Sequence, residues 1–158
     1  MRKTKILFVL FISLCSISFS QTTNSVLSNG EWYKFSVDTT GVFKIDAALL
    51  QKMGINTSQI NPKNIRIYGN GGAMLPQKNS DFRYADLQEN AIYIEGEEDG
   101  VFNADDVILF YAKGPHDWNV NPNLETATHR QNIFSDKAYY FLTIAQSNGK
   151  RISALQDV

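Results

Sequence analysis

Residues able to bind a cation are concentrated in one stretch of this chain, Ala91 to Pro115. Counted around Gly100, the residues Glu95, Glu97, Asp99, Asn103 and Asp106 fall at positions one, three, five, nine and twelve of a D-x-[DN]-x-[DN]-G-x5-E loop, with the carbonyl of Val101 at seven. The chemistry that spacing predicts is oxygen coordination of calcium. Two features depart from the pattern: Glu at positions one and three is longer than the usual Asp or Asn, and Asp106 is shorter than the usual bidentate Glu. The flanking runs Ala91 to Ile94 and Val107 to Tyr111 are β-branched and aromatic, so they predict strands rather than the helices of an EF-hand. A solvated acidic turn closing a hairpin accounts for the same residues.

Other chemistry is sparse. Gly69-Asn-Gly-Gly72 follows an apolar run but lacks the Lys-Ser/Thr and helix start of a phosphate loop, so it reads as a turn. His116 and His129 stand apart in polar segments with no third nitrogen or sulfur partner, and they read as surface histidines rather than zinc ligands. No Ser lies in a G-x-S-x-G elbow, and the single cysteine, Cys15, lies in the leader described next. No catalytic residue is therefore assigned. Trp32, Trp118 and the seven tyrosines suit either a sugar-stacking platform or interior packing. Asn56-Thr-Ser58 is a glycosylation acceptor only in a host that glycosylates.

Residues 1–20 combine a basic head, Met1 to Lys5, with an apolar run from Ile6 to Phe19 and small residues at its end, the pattern of a cleaved export signal. Cleavage at Ser20 would leave a mature chain, residues 21–158, without cysteine and without a membrane-spanning segment. The expected location is extracellular or on the outer membrane surface. Removing Arg2, Lys3 and Lys5 from the 15 basic residues leaves 12 against 16 acidic ones, a formal charge of −4. With no basic stripe, nucleic acid is excluded as a partner. Without disulfides, stability must come from a core, for which 43% hydrophobic residues suffice in one domain.

The elements expected to position these residues are mostly strands. Tyr33, Phe35 and Val37 alternate with Lys34 and Ser36, and Val42 to Ile45 follows the turn residues Asp38 to Gly41, which predicts a hairpin. Asp46 is placed to cap a two-turn helix over Ala47 to Met53, with Gly54 just past its end. Ile65 to Tyr68 predicts a short strand, Met74 to Pro76 an extended edge, and Lys137 to Ile144 the last clear strand before the turn at Asn148-Gly149. Gly114 to Asn132 reads as a long polar loop. The fold class expected is mainly β: an antiparallel β-sandwich-like or β-rich α+β domain with one short helix. Strand patterning barely resumes over Ser153 to Val158, which predicts a domain truncated at its C-terminal end.

Three segments together carry a family resemblance: Gly30 to Ile45, Asn61 to Gly72, and Glu97 to Gly114, with Ser135 to Leu142 in keeping. In this order they resemble the N-terminal region of type IX secretion system sortases, gingipain-type cysteine peptidases of the Bacteroidota cell surface. The resemblance implies a parent that cleaves C-terminal sorting signals and attaches cargo to the cell surface. In that family the catalytic Cys and His lie in a later domain, and nothing here matches them. The implied role is a propeptide-like accessory module, with partners in its own downstream catalytic domain, secretion-system components or cargo sorting domains. The alternative is a free-standing protein- or carbohydrate-binding β module, stabilised by calcium at the acidic loop.

Overall fold

The computed structural model describes residues 24–153; the proposed signal segment, Cys15 and the last five residues lie outside that range. Within it the chain runs β1 (Tyr33–Val37), β2 (Gly41–Asp46), α1 (Ala47–Lys52), β3 (Ile65–Tyr68), β4 (Glu89–Asn90), β5 (Ile92–Glu95), β6 (Val107–Ala112), β7 (His116–Asn121), β8 (Thr126–Gln131) and β9 (Ala138–Ile144). These strands form three antiparallel sheets, in the orders β1-β9-β3-β4, β2-β6-β5 and β7-β8. The protein is mainly β with one α-helix among the described residues, as expected.

The alternation read from the sequence is the alternation of burial. In β6, Ile108, Phe110 and Ala112 are buried while Tyr111 is exposed; in β5, Ile92 and Ile94 are buried while Tyr93 is exposed. The inward residues of the four- and three-stranded sheets share one core. Phe35 on β1 meets Phe110 on β6 edge-to-face at 5.6 Å, and Phe110 meets Tyr140 on β9 at 5.6 Å, so aromatic rings join the two sheets. Burying each such side chain contributes about 1.5–3 kcal/mol. The core is closed at one end by α1, where Asp46 Oδ1 accepts the Leu49 N–H at 2.9 Å and Leu50 is fully buried.

Three expectations change. The strands β1 and β2 do not form a hairpin: β1 pairs with β9 from Tyr33↔Leu142 to Val37↔Ala138, and β2 with β6 from Gly41↔Ala112 to Asp46↔Val107. As a hairpin, Phe35 and Phe43 would sit in one sheet; divided between two sheets, Phe35 reaches Phe110 across the core while Phe43 lies opposite Phe110 in its own sheet. The short connector is fastened as a corner by the Gly114 N–H, which donates to Thr40 Oγ1 at 2.9 Å. The segment Gly114 to Asn132 is not a loop but mostly the β7–β8 hairpin. Its polar side chains conceal the alternation, because this hairpin is solvated almost throughout. Met74 to Pro76 forms no strand. Arg151 does reach the sheet, in a single parallel bridge to Ile92.

Candidate functional site

The acidic loop closes the β5–β6 hairpin, whose register runs from Ile92↔Phe110 to Glu95↔Val107. Two glycines shape it: Gly96 (φ +91°) and Gly100 (φ +79°) flank a 3-10 turn over Glu97–Asp99. At Gly96 a side chain would also overlap the carboxylate of Asp106, which is buried beneath the turn. Of the six expected ligands, the structure brings Asp99, Asn103 and Asp106 together. Asp99 accepts the Val101 N–H at 2.9 Å and the Asn103 Nδ2–H at 2.8 Å, and Asp106 accepts the Asn103 N–H at 2.7 Å.

Of the remaining three, Val101 joins that network only through its N–H, and the two glutamates lie apart from it. Glu97 Oε2 accepts from Arg151 Nε at 2.7 Å, Glu95 is exposed at the end of β5, and Val101 is exposed beyond the turn. Among the described residues, no three His, Cys, Asp or Glu side chains converge in a cluster fit to hold a metal ion. Both Asp99 oxygens and Asp106 Oδ2 accept N–H groups of the loop, and these bonds brace the turn.

The two histidines, far apart in sequence, are brought face to face by the β7–β8 register, in which Trp118 opposes His129. The His116 and His129 rings stack at 5.5 Å, and Trp118 lies 4.9 Å from His129. His116 Nδ1 is buried without a hydrogen-bond partner. No local pattern announced this cluster, since it depends on a pairing hidden in an Asn- and Thr-rich segment.

Beside it runs a groove. Depressions of about 180, 160 and 490 Å³ adjoin one another, and Tyr111 lines all three. Its floor is fixed from below: the buried Tyr140 hydroxyl accepts the Lys113 N–H at 2.7 Å and donates to the Lys113 carbonyl at 3.1 Å. Burial pushes the Tyr140 hydroxyl above its ordinary pKa, with the Lys113 N–H acting in the opposite direction. The Gly69-Asn-Gly-Gly72 segment forms one wall. Gly69 lies so close to the Tyr140 ring that any side chain there would overlap it, and a Cβ at Gly72 would stand 2.6 Å from Ala138 Cβ. Those glycines are required by close packing on β9, in keeping with a turn rather than a phosphate loop. The groove residues Asn70, Tyr84, Tyr111 and Lys113 were not singled out from the sequence. The one available signal was Tyr111, a large ring on the outward side of a strand whose inward residues already fill the core.

No family model and no curated protein matches the chain. Among solved structures it is similar to dimeric latent PorU from Porphyromonas gingivalis, with 28% sequence identity and a TM-score of 0.64. The match covers 84% of this chain and 11% of that one. This chain therefore corresponds to a small part of a much longer protein.

Proposed function

We propose that this PorU-like region is the accessory, propeptide-like N-terminal module of an exported gingipain-type cysteine peptidase, the sortase of a type IX secretion system. The observation that carries this reading is the solved PorU chain, which this region resembles over 84% of its own length while spanning 11% of the other. The module packs on a downstream catalytic domain and supports it, and the reacting Cys and His belong to that domain. Its partners are that domain first, and then secretion-system components or the sorting domains of cargo handled at the cell surface. Among the described residues no helix is long and apolar enough to cross a membrane.

The test begins with the reading frame after Val158. It is expected to continue into a domain bearing a Cys/His pair, and a stop codon or an unrelated domain there overturns the proposal. In the full-length protein, deletion of residues 24–153 is expected to lower the yield of folded peptidase or change its activity. A deletion variant with unaltered yield and activity also overturns the supporting role.

A further inference from the structure

We propose that the groove centred on Tyr111 is an oligosaccharide-binding site. The three depressions form one surface because their walls are shared: Asn70, Gly71 and Lys113 border the first two, and Thr40, His116 and Asp117 the second two. Three large rings stand along it, supplied by segments far apart in sequence. Tyr84 is 55% exposed at one end, Tyr111 53% in the middle and Trp118 62% at the other end. Scattered exposed aromatics need no explanation, but three gathered in one concave surface do.

The chemistry between the rings selects the ligand. Amide side chains, the Thr39 and Thr40 hydroxyls, one ammonium and one carboxylate line the same surface. Neither Lys113 nor Asp117 makes an ion pair among the described residues. A purely apolar ligand would strand the Lys113 ammonium and the Asp117 carboxylate, at about 1–3 kcal/mol for each one left unpaired. A phosphorylated or polyanionic ligand would meet a single lining cation with a carboxylate close by in the groove. A sugar chain meets both requirements, since its C–H faces pack on aromatic rings while its hydroxyls bond to amides and charged groups.

The groove is also built in advance of any ligand. Asn70 is held by the Asp86 carbonyl at 3.1 Å and by the Gln88 N–H at 2.9 Å, and Lys113 is held through its backbone by Tyr140. The wall at Asn70 and the backbone at Lys113 therefore need little ordering on binding. This inference stands independently of the sortase reading, because binding by the chain itself requires no peptidase.

The test is calorimetric titration of the full chain with maltohexaose, chitohexaose, xylohexaose and mannohexaose, alongside Trp118 fluorescence. Saturable binding of at least one is expected, with Tyr111→Ala weakening it by about tenfold or more. Tyr93→Ala removes an equally outward tyrosine of the same sheet outside the groove, and it should leave affinity unchanged. If Tyr111→Ala lowers the melting temperature, Trp118→Ala on the hairpin provides the same readout. The proposal fails if none of the four sugars saturates at millimolar concentration. It also fails if folded groove variants bind like the wild type, or if Tyr93→Ala weakens binding as much as Tyr111→Ala does.

Discussion

Glu97 and Arg151 show how a residue's role changes once its neighbours are known. In sequence Glu97 stands at position three of a candidate calcium loop, yet its partner is a guanidinium 54 positions later. Arg151 also donates to the carbonyls of Pro62 and Lys63, both at 2.9 Å, and to Ile65 O at 3.3 Å. It therefore ties the end of the described chain to the entry of β3 and to the acidic loop at once. Charged donors on carbonyl acceptors are worth about 1.5–3 kcal/mol, whereas a partly exposed ion pair adds about 1 kcal/mol or less. Arg151→Met is accordingly expected to lower stability by about 2–3 kcal/mol, and Glu97→Gln by about 1 kcal/mol or less, read from the urea midpoint at constant slope. Equal effects of the two substitutions would show that the ion pair, rather than the carbonyl contacts, is what holds the segment.

Among the elements, the N-terminal segment before β1 illustrates the limit of local patterning. Val26–Ser28 form a short 3-10 turn, capped by Ser25 and with no buried residue, so its attachment rests on hydrogen bonds. Asp86 accepts the Val26 N–H at 2.6 Å, the Leu87 N–H at 2.8 Å and the Ser25 hydroxyl at 2.9 Å. The Val26 and Leu87 N–H groups, followed by Ser25, hold its carboxyl below the ordinary value of 3.8. A carboxyl depressed on folding stabilises the fold above its unfolded value and loses that contribution as pH falls through the folded one. The protection factor of the Val26 amide, measured against the intrinsic rate at each pH, is thus expected to hold at neutral pH and to fall once the pH drops below 3.8. In Asp86→Asn, protection should be low at every pH; protection unchanged by that substitution would place the anchor elsewhere.

Within the whole molecule, Tyr140 joins what the chain keeps apart. Its ring packs between Phe35 and Phe110, its hydroxyl closes on Lys113 at the end of β6, and Gly69 passes against its face. Tyr140→Phe leaves the Lys113 N–H and carbonyl without this partner, a loss of about 1–3 kcal/mol. Gly69→Ala forces the ring and the loop apart, at about 1–3 kcal/mol for overpacking. Because burial raises the Tyr140 pKa above 10.0, the stability linked to its protonated form is complete below that value and declines as pH rises through the folded pKa. The wild type should therefore lose stability in alkaline solution more steeply than Tyr140→Phe. Parallel alkaline melting curves would remove the hydroxyl from this role.

The sequence alone determined the elements whose signals are local. Alternating apolar residues marked β1, β2, β3, β5, β6 and β9, an Asp cap and a following glycine marked α1, and Gly100 marked the β5–β6 turn. It also carried the family resemblance, because those signals recur in a fixed order. Tertiary structure decided which strands pair, that β1 and β2 part into different sheets, that His116 meets His129, and that Tyr84, Tyr111 and Trp118 border one groove. The physical reason is sequence separation. Burial periodicity and capping are settled within a few residues, whereas partner choice is settled by which distant apolar faces close a single core, and the surface sites are left where those closures bring remote side chains together.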